Sequence, residues 1–212
     1  MTVPRLNLRR ALRGLYSAGP EPELVDVPEL PFLMIDGRGN PNTAPAYAAA
    51  VQALYATAYT VRFALKRGPG GIDAPVMPLE GLWWVPDMSL FDVADKGAWH
   101  WTLMILLPEQ VSGELVDDAR RTAAARRPQL PVDRVRLERY AEGLAAQVLH
   151  RGPYRDEGPT VARLHRFIAD RGYALTGRHH EIYLGDPRRS APEKLRTVVR
   201  QPVAPVGSAP DS

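Results

Sequence analysis

The stretch HHEIYLGDPRRSAPEKLRTVVRQPV, residues 179–203, decides the fold. It contains two β-like segments, 179–184 and 196–203, joined by a Pro-rich connection. In the first, strict alternation puts His179, Glu181 and Tyr183 on one face and His180, Ile182 and Leu184 on the other. A strand of β-branched and aromatic residues normally buries one face. Glu181 is therefore either a buried carboxylate that needs partners or an edge-strand group in water. The adjacent His179 and His180 point to opposite faces, a poor geometry for joint chelation, so no metal is expected there. No cofactor is expected either.

Upstream, residues 6–16 carry leucines at helical spacing, and the Pro-rich, acidic segment 17–28 reads as a surface linker. LPFLMID, 30–36, is the first strand, followed by a Gly/Asn/Pro turn. A long helix then runs to about Lys66, with Pro45 in its first turn and Lys66, Arg67 and Gly68 closing it. Its apolar stripe is Tyr47, Val51, Leu54, Ala58, Val61 and Leu65. Tyr55, Tyr59 and Arg62 share an adjacent face, which either packs in the core or walls a ligand pocket.

Two Trp-rich strands follow, VMPLEGLWWV (76–85) and AWHWTLMILL (98–107), around a loop that holds Phe91. Glu80 and Trp84 share a face of the first. On the second, His100, Thr102 and Met104 oppose Trp99, Trp101 and Leu103. Broad aromatic surfaces with a few acids suit flat, apolar, often cationic ligands; the alternative is tryptophans filling a core with Glu80 in water. A helix over 112–127 is capped by Ser112 and stopped by Pro128. Segments 135–140 and 144–150 are strands around Ala141, Glu142 and Gly143. A helix from Pro159 buries Val161, Leu164, Phe167 and Ile168 and stops before Gly172. The tail, 204–212, is rich in Pro, Gly and Ser and is expected to be disordered.

The order strand–helix–strand–strand thus occurs twice. The expectation is an α+β domain over 30–203, preceded by an N-terminal helix and linker over 1–29. Its halves cover about 30–107 and 132–203, joined by the helix at 112–127, with antiparallel sheets and a ligand cleft between the halves.

Composition excludes several classes. Forty-five per cent hydrophobic and 24% charged residues describe an ordinary globule, and no apolar run approaches the ~20 residues of a membrane span. The basic N-terminus lacks the apolar core of a secretory signal, so cytoplasm is the expected compartment. With no cysteine, disulfides, thiol nucleophiles and cysteine metal sites are out. The net charge of +3 is spread among interleaved acids, without the basic stripe of a nucleic-acid binder.

The segments LMIDGRGNPN, VMPLEGLWWV, WHWTLMILLP, LHRGPYRDEGPTVARLHRFI and HHEIYLGDPRRSAPEKLRTVVRQPV resemble, in order, the GyrI-like small-molecule-binding family, specifically its stand-alone bacterial members. The resemblance implies tandem strand–helix–strand–strand units with a ligand cleft. It also implies that Glu181 matches the family's central glutamate, that Tyr154 matches a tyrosine near the pocket, and that Trp83 and Trp84 belong to an aromatic wall. Trp101, Glu80, Tyr55, Tyr59, Met104 and Tyr183 complete the candidate ligand-facing set. No helix-turn-helix segment precedes the domain, so direct DNA binding is not expected.

Two functions follow as expectations. In the first, a metal-independent hydrolase opens the ring of cyclopropanoid toxins with water, as the resemblance implies for some stand-alone members. Glu181 activates the water and Tyr154 positions it or hydrogen-bonds the substrate oxygen. In the second, the same pocket sequesters planar, lipophilic, often cationic or genotoxic compounds without turnover. A gyrase-inhibitor-type protein-binding role ranks last, because no protein-binding patch is visible.

Overall fold

The computed structural model describes residues 3–88, 96–186 and 189–207. In chain order the elements are α1 (Leu8–Ala11), α2 (Arg13–Tyr16), β1 (Glu23–Val27), β2 (Leu30–Arg38), α3 (Pro45–Arg67), β3 (Glu80–Trp84) and β4 (His100–Leu106). They continue with α4 (Gly113–Arg126), β5 (Arg136–Tyr140), β6 (Gly143–Arg151), α5 (Gly158–Asp170), β7 (Tyr173–Leu175), β8 (His179–Tyr183) and β9 (Arg196–Pro205). The chain is α+β, and its strand pairings are antiparallel. It divides into two compact units, Met1–Leu12 with Leu30–Tyr140, and Arg13–Glu29 with Ala141–Ser212.

In the first unit the strand order is β3-β4-β2-β5. Tyr47 of α3 packs on Trp83 and Trp101, ring centroids 6.0 and 5.3 Å apart, so α3 lies over the sheet face bearing those tryptophans. The buried stripe of α3 is Ala50, Ala53, Leu54, Thr57, Ala58 and Val61. Relative to the sequence expectation it is rotated toward small residues, which let the helix sit close to the sheet. Gly37, directly opposite Trp101, is required at its position, because a Cβ there would lie 2.1 Å from the indole ring.

In the second unit the order is β1-β6-β9-β8, with β7 on the far end of β9. The core beneath α5 is Val161, Leu164 and Ile168 against Ala146, Val148, Val199 and Val203. Phe167 is only partly buried and carries the Arg171 guanidinium 4.8 Å from its ring centroid.

Four expectations need correction. The supposed linker 17–28 contains β1, which pairs with β6 from Glu23↔Gln147 to Val27↔Gly143. Its half-exposed, acid-containing face explains the misreading. The N-terminal helix is two short turns, α1 and α2, interrupted at Leu12 and divided between the units. Segment 136–140, grouped by sequence with the second half, pairs with β2 in the first unit. β9 extends through Ala204 and Pro205, because the short strand β7, missed in the sequence, supplies its partner. Phe91 and residues 208–212 lie outside the described residues.

Candidate functional site

The alternation of β8 is realised on both faces. On the face shared with Val199 and Val148, beneath α5, stand His179, Glu181 and Tyr183. Glu181 is 6% exposed, so it is the buried carboxylate of the two sequence alternatives. Tyr183 donates its hydroxyl to Glu181 Oε2 at 2.8 Å, and His179 Nε2 lies 3.3 Å from Oε1. An ionised carboxylate only accepts, so the His179 nitrogen facing it carries the proton. Two hydrogen-bonding partners on one carboxylate offset the cost of burying it.

Tyr154 reaches this cluster from the turn after β6. Gly152, at φ 123°, adopts a backbone conformation that suits glycine. His150 pins the turn, with Nε2 3.3 Å from the Pro153 carbonyl and Nδ1 2.9 Å from Thr160 Oγ1. Because the carbonyl only accepts, Nε2 carries the proton and Nδ1 accepts from the threonine hydroxyl. The turn enters a short 3-10 segment, Tyr154–Asp156, and the Tyr154 ring meets Tyr183 edge-on at 5.3 Å. His165 of α5 also belongs to this surrounding. Burial, and then the neighbouring charge of His179, hold its imidazole below the ordinary value of 6.5.

The opposite face of β8 carries a second polar cluster. His180 Nδ1 is 3.0 Å from both carboxylate oxygens of Glu142, and Arg200 Nη1 donates to Glu142 Oε2 at 3.2 Å. Arg200 also donates to Gln147 Oε1 at 3.0 Å and to the Leu15 carbonyl at 2.6 Å. Gln147 passes its amide on to the Gly14 carbonyl and to Glu23. Burial alone would raise the Glu142 carboxyl; His180 and Arg200 outweigh it and hold the group below its ordinary range. This cluster ties α2 and β1 to the sheet. Its buried charges are paired among themselves.

The first unit holds the other candidates, on two faces of one sheet. Trp83 and Trp101 are directly opposite each other, 2% and 1% exposed, under Tyr47 and with Trp99 5.2 Å from Trp83. Glu80, Met104 and Trp84 occupy the other face, Glu80 opposite Met104 and Trp84 opposite His100. Glu80 is 1% exposed, which overturns its reading as a group in water. Among these four tryptophans Trp84 alone is partly open to solvent. Tyr55 and Tyr59 stack at 6.3 Å on α3, with Tyr59 exposed, and their neighbour Arg62 is held by Asp73 at 2.9 Å.

Sequence reasoning named Glu181, Tyr183 and Tyr154 but gave His179 no role beyond the metal argument. The alternation that joined it to Glu181 was already the signal. His150 and Tyr47 were missed as positioning residues. Among the described residues no group of three or more His, Asp or Glu is placed to hold a metal ion, and no helix is long and apolar enough to cross a membrane.

Two strand–helix–strand–strand units, one of them holding a buried acid under two donors, define an α+β ligand-binding domain. The chain belongs to the GyrI-like small molecule binding domain family, which matches residues 20–204. Among solved structures it is similar to an uncharacterized conserved protein from Listeria innocua, at 40% identity and TM-score 0.87, covering 94% of this chain and 100% of that one. Two hydrolases from Listeria innocua are similar at 36% and 38% identity, with TM-scores 0.81 and 0.84 and the same coverage. No similar protein is found among the curated proteins.

Proposed function

We propose that the protein takes up planar, lipophilic, often cationic or genotoxic compounds at an aromatic site centred on Glu181, and that it hydrolyses the cyclopropanoid members of that class. The observation that carries this reading is a carboxylate only 6% exposed with a tyrosine and a histidine on its two oxygens. The similarity to the two Listeria hydrolases supports the catalytic part.

The reaction needs a base, a hydrogen-bond donor and little else. A water oxygen bonds to a ring carbon while the strained carbon–carbon bond breaks, and the released electron pair moves into the conjugated acceptor of the substrate. Glu181 takes the water proton. Tyr154, held beside Tyr183, donates a hydrogen bond to the acceptor oxygen as charge develops on it. The acceptor is then protonated and Glu181 returns its proton to solvent. Tyr183, already committed to Oε2, orients the base.

A second reading, uptake without turnover, is favoured by one observation. Both Glu181 oxygens already accept a hydrogen bond, an arrangement that suits a fixed counter-charge as well as a base. Incubation with a cyclopropane-bearing alkylator, read by mass spectrometry for the water-added product and by tryptophan quenching for binding, separates the two. Product with wild type and none with Glu181→Gln is the expected result. Binding without product selects sequestration. Equal turnover by the variant removes Glu181 from the mechanism.

A further inference from the structure

Acids and bases alternate along most of the sequence, but its two longest acid-free stretches are 1–20 and 37–72, and the fold of the first unit joins them. Residues 4–6 run beside Asp73. The Leu6 amide donates to the Asp73 carbonyl at 3.1 Å, and the Asp73 amide donates to the Pro4 carbonyl at 2.9 Å. From the last turns of α3, Arg62 and Lys66 reach the Asp73 carboxylate at 2.9 and 3.0 Å. Those hydrogen bonds, Arg62 first, hold its carboxyl below the ordinary carboxylate range, so the acid at the junction is committed to them. Arg5, Arg9 and Arg10 on the N-terminal segment and Arg67 at the end of α3 are exposed. Among the described residues no acid pairs with these four.

Beside this positive end, α3 carries Tyr55, Tyr59 and Phe63 at i, i+4 spacing, one turn apart. Tyr59 and Phe63 are 47% and 49% exposed, on a helix whose opposite face is buried. Tyr55 stacks on Tyr59 with ring centroids 6.3 Å apart, and the Arg67 guanidinium lies 5.9 Å from the Phe63 centroid. The result is a row of flat faces that ends in a cation. A lipid surface is held by side chains that insert among the acyl chains, whereas these rings lie along the helix and the large exposed aliphatic group nearby is Val3. Aromatic faces interleaved with unpaired guanidinium groups match a partner that offers flat rings and anions together. We propose that this end of the first unit binds single-stranded nucleic acid, with Tyr59 and Phe63 stacking on bases and Arg5, Arg9, Arg10 and Arg67 meeting phosphates. The surface makes no use of Glu181, so it stands apart from the small-molecule reading.

The test is fluorescence anisotropy of the full chain with a labelled oligothymidylate of about sixteen nucleotides, titrated between about 50 and 200 mM salt. Four cations on phosphates predict saturable binding with a slope of log affinity on log salt of about −3. Tyr59→Ala and Phe63→Ala, at exposed positions, should each weaken binding about fivefold or more at unchanged slope. The double variant Arg9→Gln/Arg10→Gln should make the slope shallower by about 1.4. Arg166→Gln/Arg171→Gln removes the same charge from exposed positions of the second unit and should change neither quantity. No saturable binding by wild type overturns the proposal and needs no variant to fold. Binding that both ring variants leave intact overturns it too, as does a duplex of the same length bound equally tightly, which would reduce the surface to attraction for phosphate. An equal loss in Arg166→Gln/Arg171→Gln would make the effect one of net charge and sink the assignment. Sedimentation with vesicles of phosphatidylcholine and phosphatidylglycerol in equal parts, lost in the ring variants and without oligonucleotide binding, would assign the surface to lipid instead.

Discussion

Replacing Arg200 with methionine tests whether the polar cluster behind β8 holds the second unit together. Arg200 is 2% exposed and donates to three partners: Glu142, Gln147 and the Leu15 carbonyl. Methionine fills much of the volume but leaves a buried carboxylate with His180 alone and a buried carbonyl without its donor. Removing one partner of a buried ion pair costs about 3–5 kcal/mol. Because His180 stays on Glu142, the expected loss is at the low end, about 3 kcal/mol. For a chain of this size that corresponds to a Tm lower by about 6–12 °C. Urea unfolding at pH 7.5, with thermal melts in parallel, measures it. The double variant Arg200→Met/Glu142→Gln should lose less than the sum of the singles, since the orphaned charge is gone. The pH dependence has a definite sign. The folded Glu142 carboxyl lies below its unfolded value near 4.5. Its contribution is therefore fully present above that value and is lost as pH falls through the folded one. A loss below about 1 kcal/mol in Arg200→Met, or strict additivity in the double variant, would refute this account of the cluster.

Three further outcomes are expected. Gly37→Ala drives a Cβ to within 2.1 Å of the buried Trp101 ring, so stability should fall by about 1–3 kcal/mol; an unchanged urea midpoint would show that the indole can move aside. His165 has a folded value below its unfolded 6.5, so the unfolded chain binds the proton first and stability declines as pH drops through about 6.5. In His165→Leu that decline should shrink, as read by urea midpoints at pH 7.5 and 5.5, and an identical decline would assign it to other groups. Trp84, only partly buried, should tolerate Trp84→Ala with the melting curve within a few degrees of wild type, whereas a large stability loss in thermal melts would make Trp84 a core residue.

The repeat of strand, helix, strand and strand was legible because each helix announces itself through proline, glycine and terminal cations, and each long strand through its run of apolar residues. What sequence could not supply was partnership at a distance. β1 is a short, acid-bearing segment whose strand character exists only because β6 accepts it. β5 lies three residues before β6 and yet pairs with β2, more than a hundred residues upstream. The site was readable in the same uneven way. Alternation placed His179, Glu181 and Tyr183 together, since that rule is local. Alternation also put Trp84 on one face with Glu80; which sheet face α3 covers was not legible, because it depends on Tyr47 packing on Trp83 and Trp101. Glu142 gave no local sign of burial. Its partners come from β8 and β9, and only the fold assembles them.

β8 therefore does two jobs with one periodicity. Its even-numbered His180 joins an ion cluster whose charges are internally paired and whose effect is to fasten α2 and β1 to the sheet. Its odd-numbered His179, Glu181 and Tyr183 form a cluster in which a histidine and a tyrosine approach the two oxygens of a buried carboxylate. A strand anchored from behind by paired charges holds the acid in front at a fixed depth, and on the proposed function its fixed donors would spare a reorganisation cost when a ligand arrives. The separation makes the two roles independently testable. Arg200→Met should lower stability while leaving affinity per folded molecule unchanged, and Glu181→Gln should change cation affinity while leaving the urea midpoint nearly where it was. If Arg200→Met instead altered ligand selectivity as strongly as Glu181→Gln, the two faces of β8 would be one coupled electrostatic system, and the division argued from its alternation would fail.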